Sequence, residues 1–253
     1  MRKRRSTVVA AGIALALGLT ACGGDSKDNS GDNGKKAVDV AYDAGNKGVV
    51  NPSDKTGGTL RYALTDEPDS MDPGDTYYAF NWDFTRLYAR PLVSFATAVG
   101  PEGLKVKPDL AEGLGVPSDG NKTWTYKLKA GVKYEDGTPI ISKDVKYAVA
   151  RSNYGGVLIN GPKYFAQYLD AKGYKGPYKD KNLDNFKGVT TPDDQTIVFH
   201  LTQPFAEFDY LVVNPQSAPV PQAKDTGLTY QEHPLSSGPY KFESYQVGQK
   251  FTL

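Results

Sequence analysis

One stretch, Lys122–Arg151 (KTWTYKLKAGVKYEDGTPIISKDVKYAVAR), constrains the fold more than any other, because strand, turn and helix signals follow one another within it. Residues 123–128 are rich in β-branched and aromatic side chains, which favour a strand. Since side chains alternate between the two faces of a strand, one face is formed by Trp124, Tyr126 and Leu128. The stretch therefore begins with a strand that has one apolar face.

The same stretch continues with a turn and a helix. A second short strand is expected over 132–134, and the turn at 135–139 contains Asp-Gly, which accepts a positive φ. Ser142 is the expected N-cap of the helix. The helix has an apolar stripe at i, i+3 and i+4, formed by Val145, Ala148 and Val149. Taken alone, these signals predict an ordinary strand–turn–helix piece of a mixed α/β domain.

Length and charge set broader bounds. The chain has 253 residues, enough for one large domain or two smaller ones. Its formal net charge is +1, which does not favour a nucleic-acid-binding protein. The single cysteine, Cys22, excludes a disulfide within the chain.

The N-terminus has the layout of a secretory signal peptide. Residues 1–5 are basic and residues 8–19 are apolar, a run shorter than the roughly 20 residues that a spanning helix needs. The run ends in Leu19-Thr20-Ala21-Cys22, which resembles the bacterial lipobox. That resemblance implies a lipoprotein signal peptide over 1–21 and acylation of Cys22, with acyl chains such as palmitate forming a membrane anchor. The alternative is a cysteine that follows an ordinary signal peptide by chance.

Residues 22–56 are poor in large apolar side chains and rich in Gly, Asp, Asn, Lys and Ser. Such a composition cannot bury enough surface to fold by itself, so this segment is predicted to be a flexible tether.

Further elements are predicted along the remaining chain. Strands are expected at 57–64, 92–95 and 197–201, and a β-hairpin at 233–253. Helices are expected before Pro91, at 164–169 and after Pro204. Residues 174–185 are rich in Lys and Asp and are predicted to be exposed.

Several motifs in this order resemble the family 5 extracellular solute-binding proteins, the peptide-binding components of ABC importers. The most specific is K-T-W-T-Y-K-L-K-x-G-V-K-Y-x-D-G-T-P-I, followed by Asp144-Val145-Lys146-Tyr147-Ala148. The others are S-M-D-P at 70–73, P-D-L-A-E at 108–112, T-P-D-D-x-T-I-V-F-H-L at 191–201 and S-S-G-P-Y-K-F at 236–242. The resemblance covers residues 57–253.

The resemblance implies the lobes of a type II (cluster C) periplasmic-binding-protein-like fold. Lobe I would comprise 57–91 and 209–253, and a small inserted lobe would comprise 92–208. Family members are considerably longer, and residues 251–253 lie within a predicted strand. We therefore expect a chain truncated at its C-terminus, in which the lobe that closes over the ligand is absent.

The sequence contains no recognisable catalytic motif: GxSxG, Walker A, HExxH and CxxC are all missing. His200 and His233 leave a two-histidine metal site as a minor alternative, although His200 fits the solvent face of a strand. Ser236 and Ser237 precede Gly238-Pro239 in a predicted turn, and no base has a recognisable spacing from them. No enzyme activity, metal or cofactor is therefore expected.

The candidate ligand-binding residues lie mainly in a loop that is rich in aromatic side chains. In the family, the segment after S-x-D-P lines the ligand cleft, which implies Tyr77, Tyr78, Ala79, Phe80 and Asn81. Loop aromatics offer stacking and hydroxyl contacts. The alternative is that these rings pack the core of their own lobe. Two residues of the inserted lobe resemble a position near the cleft rim, Tyr164 and Phe165.

The expected function is that of a monomeric, lipid-anchored extracytoplasmic protein on the outer face of a bacterial membrane. It would bind a peptide or similar solute and pass it to the permease subunits of an ABC importer. The alternatives are an extracellular lipoprotein hydrolase, and a solute sensor or chaperone with the same fold.

Overall fold

The computed structural model describes residues 44–49 and 52–253. The predictions for the signal peptide 1–21, for Cys22 and for most of the tether 22–56 lie outside these residues. The α-helices are α1 (Ala79–Tyr88), α2 (Ser142–Asn153) and α3 (Phe208–Val212). Short 3-10 turns lie at Ala44–Asn46, Gly100–Leu104, Asp119–Asn121, Phe165–Gln167, Leu183–Asn185, Pro215–Ser217, Gln222–Lys224 and Gly227–Glu232. Within the described ranges, no helix has the length and apolarity that crossing a membrane requires.

The strands form three antiparallel sheets. Their bounds are β1 (Val93–Phe95), β2 (Val106–Pro108), β3 (Val116–Ser118), β4 (Thr123–Lys127), β5 (Val189–Thr190), β6 (Thr196–His200), β7 (Ser244–Gln246) and β8 (Lys250–Thr252). The largest sheet has the order β3-β4-β6-β5, and β1 pairs with β2 and β7 with β8. The strands predicted near 92–95, 123–128 and 197–201 and the hairpin within 233–253 are therefore confirmed.

The alternation in β4 determines which of its faces is buried. Trp124, Tyr126 and Leu128 are all buried, as the period-two pattern predicts. Trp124 lies opposite Phe199 of β6 in the ladder. The ring of Phe199 packs edge-on against Tyr126 at 5.6 Å and against Phe208 of α3 at 5.1 Å. An aromatic layer on one face of the sheet thus forms the centre of the main core.

The predicted stripe of α2 also packs as expected, but the start of the helix differs from the prediction. Val145 and Val149 are fully buried in the main core. The N-cap is Ile141 and not Ser142, which is the first helical residue. Asp144 replaces the predicted cap, because its carboxylate accepts a hydrogen bond from the Ile141 amide at 3.1 Å. Ser142 is turned away and donates to the Asp193 carbonyl instead.

Two predicted strands do not form. Residues 57–64 contain no strand, and Leu60 and Tyr62 are 75% and 65% exposed. An alternating sequence forms a strand only when a neighbouring strand accepts its backbone hydrogen bonds, and none of the described strands pairs with this segment. Residues 132–134 make only an isolated bridge, Lys133 with Pro139, flanked by hydrogen bonds from the Tyr134 amide to the Thr138 carbonyl at 2.9 Å and from the Ile140 amide to the Val132 carbonyl at 3.1 Å. The predicted turn between them is present, with Gly137 at φ 84°.

Residues 174–185 are not uniformly exposed, contrary to the prediction. Tyr174 is buried, and its ring stacks on Phe186 at 5.5 Å. The charged side chains of this segment lie around an aromatic contact that its composition concealed.

A second, smaller core joins two distant parts of the chain. Met71 and Tyr88 pack with Ala218 and Phe242, and the rings of Tyr88 and Phe242 meet edge-on at 5.2 Å. The Tyr88 hydroxyl donates to the Met71 carbonyl at 2.7 Å. This cluster fixes the loop before α1 relative to α1 itself, which positions the candidate site.

Candidate functional site

The loop that precedes α1 is held by its own acidic side chains. The Asp69 carboxylate accepts hydrogen bonds from the Thr76 hydroxyl at 2.6 Å and the Tyr77 amide at 2.7 Å. The Asp75 carboxylate accepts from the amides of Asn160 at 2.8 Å and Gly161 at 3.3 Å. Burial raises the pKa of Asp75, and these two amide donors oppose that rise. The 69–78 loop is therefore fastened both to itself and to the 160–161 loop.

The close approach of these two loops depends on glycine. A Cβ on Gly161 would lie 2.8 Å from the Gly74 carbonyl oxygen, well inside van der Waals contact. Any larger residue at 161 would push the loops apart.

Helix α1 begins directly after this loop and leaves backbone donors free. Tyr78 is the N-cap, and its carbonyl accepts from the amides of Asn81 at 3.0 Å and Trp82 at 3.1 Å. Among the described residues, nothing accepts a hydrogen bond from the amides of Tyr78, Ala79 or Phe80. The first amides of a helix have no intrahelical acceptor, and the helix dipole makes this end partly positive. This end of α1 can therefore donate to a carbonyl or carboxylate.

Aromatic side chains surround these free donors. Tyr77 and Tyr78 are 54% and 42% exposed, and the Phe80 ring lies 5.4 Å from that of Tyr78. A hydrogen bond with Tyr77 raises the pKa of Tyr164. The structure thus brings together Tyr77 and Tyr164, which are far apart in the sequence. We call Tyr77–Phe80 together with Tyr164 the aromatic face.

Two candidates have a packing role instead. Asn81 is fully buried, and its side-chain amide donates to the Ser70 carbonyl and to the Thr76 hydroxyl. Phe165 is fully buried in the main core, where its ring stacks on Phe199 at 6.0 Å. Both side chains point inward from their elements, so neither offers surface to a solute. Ala79, in contrast, is exposed beside the free amides.

A buried ionic cluster lies beneath this loop, and the sequence did not predict it. The Arg151 guanidinium binds both carboxylate oxygens of Asp72, at 2.9 and 2.8 Å. It also donates to both oxygens of Asp225, at 3.0 and 2.9 Å. Tyr147 and Tyr178 donate their hydroxyls to Asp225 at 2.6 and 2.8 Å. No local spacing signals this cluster, because its three charged residues come from three distant parts of the chain.

The cluster is electrostatically self-consistent. Burial opposes ionisation of Asp225, but the charge of Arg151 and the hydrogen bonds from Arg151, Tyr147 and Tyr178 outweigh it, so that the pKa of Asp225 is lowered. Burial likewise opposes the charge on Arg151, while Asp72 and Asp225 raise the pKa of Arg151 well above its usual value. Arg151 and Asp225 are therefore both charged in the folded protein at neutral pH.

The serine pair Ser236-Ser237 closes the other end of α1. The Ser236 hydroxyl donates to the Tyr88 carbonyl at 2.8 Å, and the Ser237 hydroxyl accepts from the Arg90 amide at 3.0 Å. Neither histidine hydrogen-bonds to them: His200 pairs with Thr190 at 2.9 Å, and the His233 ring lies against Phe242. These serines have a structural role as caps.

Within residues 44–49 and 52–253, no three His, Cys, Asp or Glu residues are grouped so that they could hold a metal ion. A cavity of about 700 Å³ lies between α1 and the β1–β2 sheet, where Arg86, Phe95 and Lys107 contribute to its walls. None of the candidate ligand-binding residues lines this cavity.

Comparison with solved structures defines the class of protein. The mixed α/β fold is part of a type II periplasmic-binding-protein-like fold. The murein tripeptide binding protein MppA of Escherichia coli matches with a TM-score of 0.62 and 24% identity, over 74% of this chain and 36% of that one. A structure titled clavulanic acid biosynthesis oligopeptide binding protein 2 matches with a TM-score of 0.77 and 47% identity, over 81% of this chain and 37% of that one.

Residues 105–253 match the model of the bacterial extracellular solute-binding proteins, family 5 Middle, and the chain belongs to this family. The probable D,D-dipeptide-binding periplasmic protein DdpA of Escherichia coli (strain K12) is 30% identical over 194 residues, or 74% of this chain and 34% of that protein. This chain thus spans about a third of the length of these relatives.

Proposed function

We propose that this protein is an extracytoplasmic solute-binding protein that delivers peptides or a similar solute to the permease subunits of an ABC importer. Family membership supports a binding role. The printed names of two relatives, a D,D-dipeptide-binding and an oligopeptide binding protein, support a peptide as the solute. Binding alone, followed by release on domain opening, accounts for such a role without a reaction.

The observation that carries the proposal is the aromatic face beside the free end of α1. The Tyr77 carbonyl and the Tyr78 amide have no partner among the described residues, as on an open strand edge. An extended peptide can pair its backbone with such groups, while rings beside them contact its side chains. Because the loop is held by Asp69 and Asp75, its groups are already in position and little ordering entropy is lost on binding.

We further propose the domain division 57–91 with 209–253 as part of lobe I, and 92–208 as the inserted lobe. The small core of Met71, Tyr88, Ala218 and Phe242 supports the joining of the two outer segments. Helix α3 packs into the main core through Phe208, Leu211 and Val212, which favours a boundary a few residues later than 209.

We also propose that acylated Cys22 anchors the protein to the outer face of the cell membrane. The Leu19-Thr20-Ala21-Cys22 sequence supports this. Labelled palmitate fed to bacteria that express the full chain should enter the protein. The Cys22→Ser variant should take up no label, and equal labelling of both proteins would refute the anchor.

Peptide binding can be tested on the full chain with trialanine as the probe and calorimetry as the measurement. Tyr77→Ala should weaken trialanine binding by about tenfold or more, as expected for a truncated aromatic anchor. Tyr210→Ala is the matched control, since Tyr210 is equally exposed, at 54%, but packs near Phe95 away from the aromatic face. Equal affinities for wild type and Tyr77→Ala would refute the site.

The hydrolase alternative gains no support, because the Ser236 and Ser237 hydroxyls are engaged with backbone groups around the end of α1. No described feature favours the sensor or chaperone alternative over transport.

A further inference from the structure

We infer that Arg151 is a positioning residue for the aromatic face: its buried guanidinium locks the turn at Asp72, and through it the loop that displays Tyr77. The inference rests on the proposed function only in the purpose assigned to the loop. The claim that Arg151 keeps the 69–78 loop ordered does not depend on whether the loop binds a solute.

The first step is the completeness of the ionic contact. The Arg151 side chain is 0% exposed, and those of Asp72 and Asp225 are 2% and 1% exposed. Arginine carries five N–H donors in a rigid plane. Here one edge of that plane faces Asp72 and the other faces Asp225. A lysine ammonium, a compact charge without this fork, cannot reproduce both bidentate contacts.

The second step is the link from Asp72 to the loop. Besides Arg151, the Asp72 carboxylate accepts from the Gly74 amide at 2.8 Å, and its carbonyl accepts from the Asp75 amide at 2.9 Å. A Cβ on Gly74 would lie only 3.1 Å from the Arg151 guanidinium, so the turn lies directly against the charge. Arg151 therefore fixes the turn at residues 72–75 in two ways: its guanidinium pairs with the Asp72 carboxylate, and it lies in close contact with Gly74.

The third step leads from the turn to the surface. Asp75 at the end of the turn holds the 160–161 loop, which precedes Tyr164. Tyr77, two residues further along, is held by Asp69 through its amide and lies beside Tyr164, whose pKa it raises. A displaced turn would therefore move both Tyr77 and Tyr164 of the aromatic face.

The remaining neighbours of Arg151 stabilise the buried charges of the cluster. Two carboxylates around one guanidinium leave an excess of negative charge, which the hydroxyls of Tyr147 and Tyr178 offset by donating to Asp225. The Tyr230 ring lies 5.0 Å from the guanidinium carbon, within the range of a cation–π contact. The side of the cluster away from the loop is thus fully packed, and Asp72 provides the connection to the solvent-facing loop.

The test is amide hydrogen exchange of the full chain, followed by mass spectrometry without peptide. In Arg151→Lys, fragments covering 69–81 should exchange about tenfold faster or more, because this loop opens locally once the fork is lost. Fragments covering β4 and β6 should stay within about twofold of wild type. Arg90→Lys is the matched control: it breaks a partly exposed pair with Asp109, 2.6 Å apart, and should leave residues 69–81 unchanged.

Two results would overturn the inference. Unchanged exchange of 69–81 in Arg151→Lys would show that the loop is held without the fork. Equal acceleration of the loop and of β4 and β6 would show a purely global role. If Arg151→Lys does not fold cooperatively, Asp72→Asn replaces it with the same expectations and the same two refuting outcomes. Because no peptide is present, this result is independent of whether trialanine binds.

Discussion

The replacement Gly238→Ala should be among the most damaging single-methyl changes in this protein. Gly238 lies against the last turn of α1, where its amide and that of Ser237 both donate to the Tyr88 carbonyl at 2.9 Å. A Cβ at this position would lie 2.5 Å from the Leu87 carbonyl oxygen and 2.7 Å from two backbone atoms of Tyr88. All three are backbone atoms, so no side chain can rotate to make room.

The magnitude follows from what must move. The end of α1 is held by the Tyr88 hydroxyl on the Met71 carbonyl, so the segment carrying Gly238 must retreat. Overpacking costs about 1–3 kcal/mol, and weakening two backbone hydrogen bonds adds about 1 kcal/mol. The loss of unfolded-state entropy on replacing glycine returns about 0.4–1 kcal/mol. The expected net loss of unfolding free energy is about 1–3.5 kcal/mol.

Urea denaturation followed by the fluorescence of Trp82 and Trp124 measures this loss. Gly113→Ala is the matched control, since a Cβ there meets nothing within 4 Å. Its stability should be unchanged or higher by up to about 1 kcal/mol. If Gly238→Ala lies within about 0.5 kcal/mol of Gly113→Ala, the close approach of the two segments does not limit stability and the reasoning fails.

Three further predictions concern the core and the ionic cluster. Phe199→Ala should lower the unfolding free energy by about 3–5 kcal/mol in urea denaturation, because its ring is fully buried against Tyr126 and Phe208; a loss under about 1 kcal/mol would contradict this packing. Tyr126→Phe removes a 2.8 Å hydrogen bond to Asp209 and should cost about 1.5–3 kcal/mol in thermal unfolding; an unchanged melting temperature would contradict it. The pKa of Asp225 is lower in the folded than in the unfolded state, so its contribution is present above about pH 4 and is lost as pH falls through the folded-state value. Stability measured against pH should therefore fall in this acid range for wild type and less steeply for Asp225→Asn; parallel acid limbs would refute the assignment.

Local patterns predicted several elements well. The alternation over 123–128 and the i, i+3, i+4 stripe of α2 identified the buried faces, because each depends only on geometry within one element. The same alternation failed at 57–64, where Leu60 and Tyr62 are exposed. A strand requires a partner for its backbone groups, and a sequence pattern cannot show whether one is in place.

The candidate site divides in the same way. The motif S-M-D-P and the aromatic run after it pointed to residues 77–81 as a loop, but α1 already begins at Ala79, and the pattern could not distinguish exposed Tyr77 from buried Asn81. That distinction depends on which side of the first turn of α1 faces the Ser70 and Thr76 side of the loop. Helix phase at a terminus is set by tertiary contacts, and the apolar pattern is too short there to fix it.

The sequence by itself determined the family resemblance, the strand–turn–helix of Lys122–Arg151 and the position of the aromatic loop, since these depend on residue type and short spacings. Only the tertiary structure decided that Arg151, the last residue of that stretch, reaches Asp72 and Asp225 and so underlies the loop. The physical reason is distance along the chain. A buried charge must be paired, but which carboxylates pair with it depends on how segments more than 70 residues apart pack together.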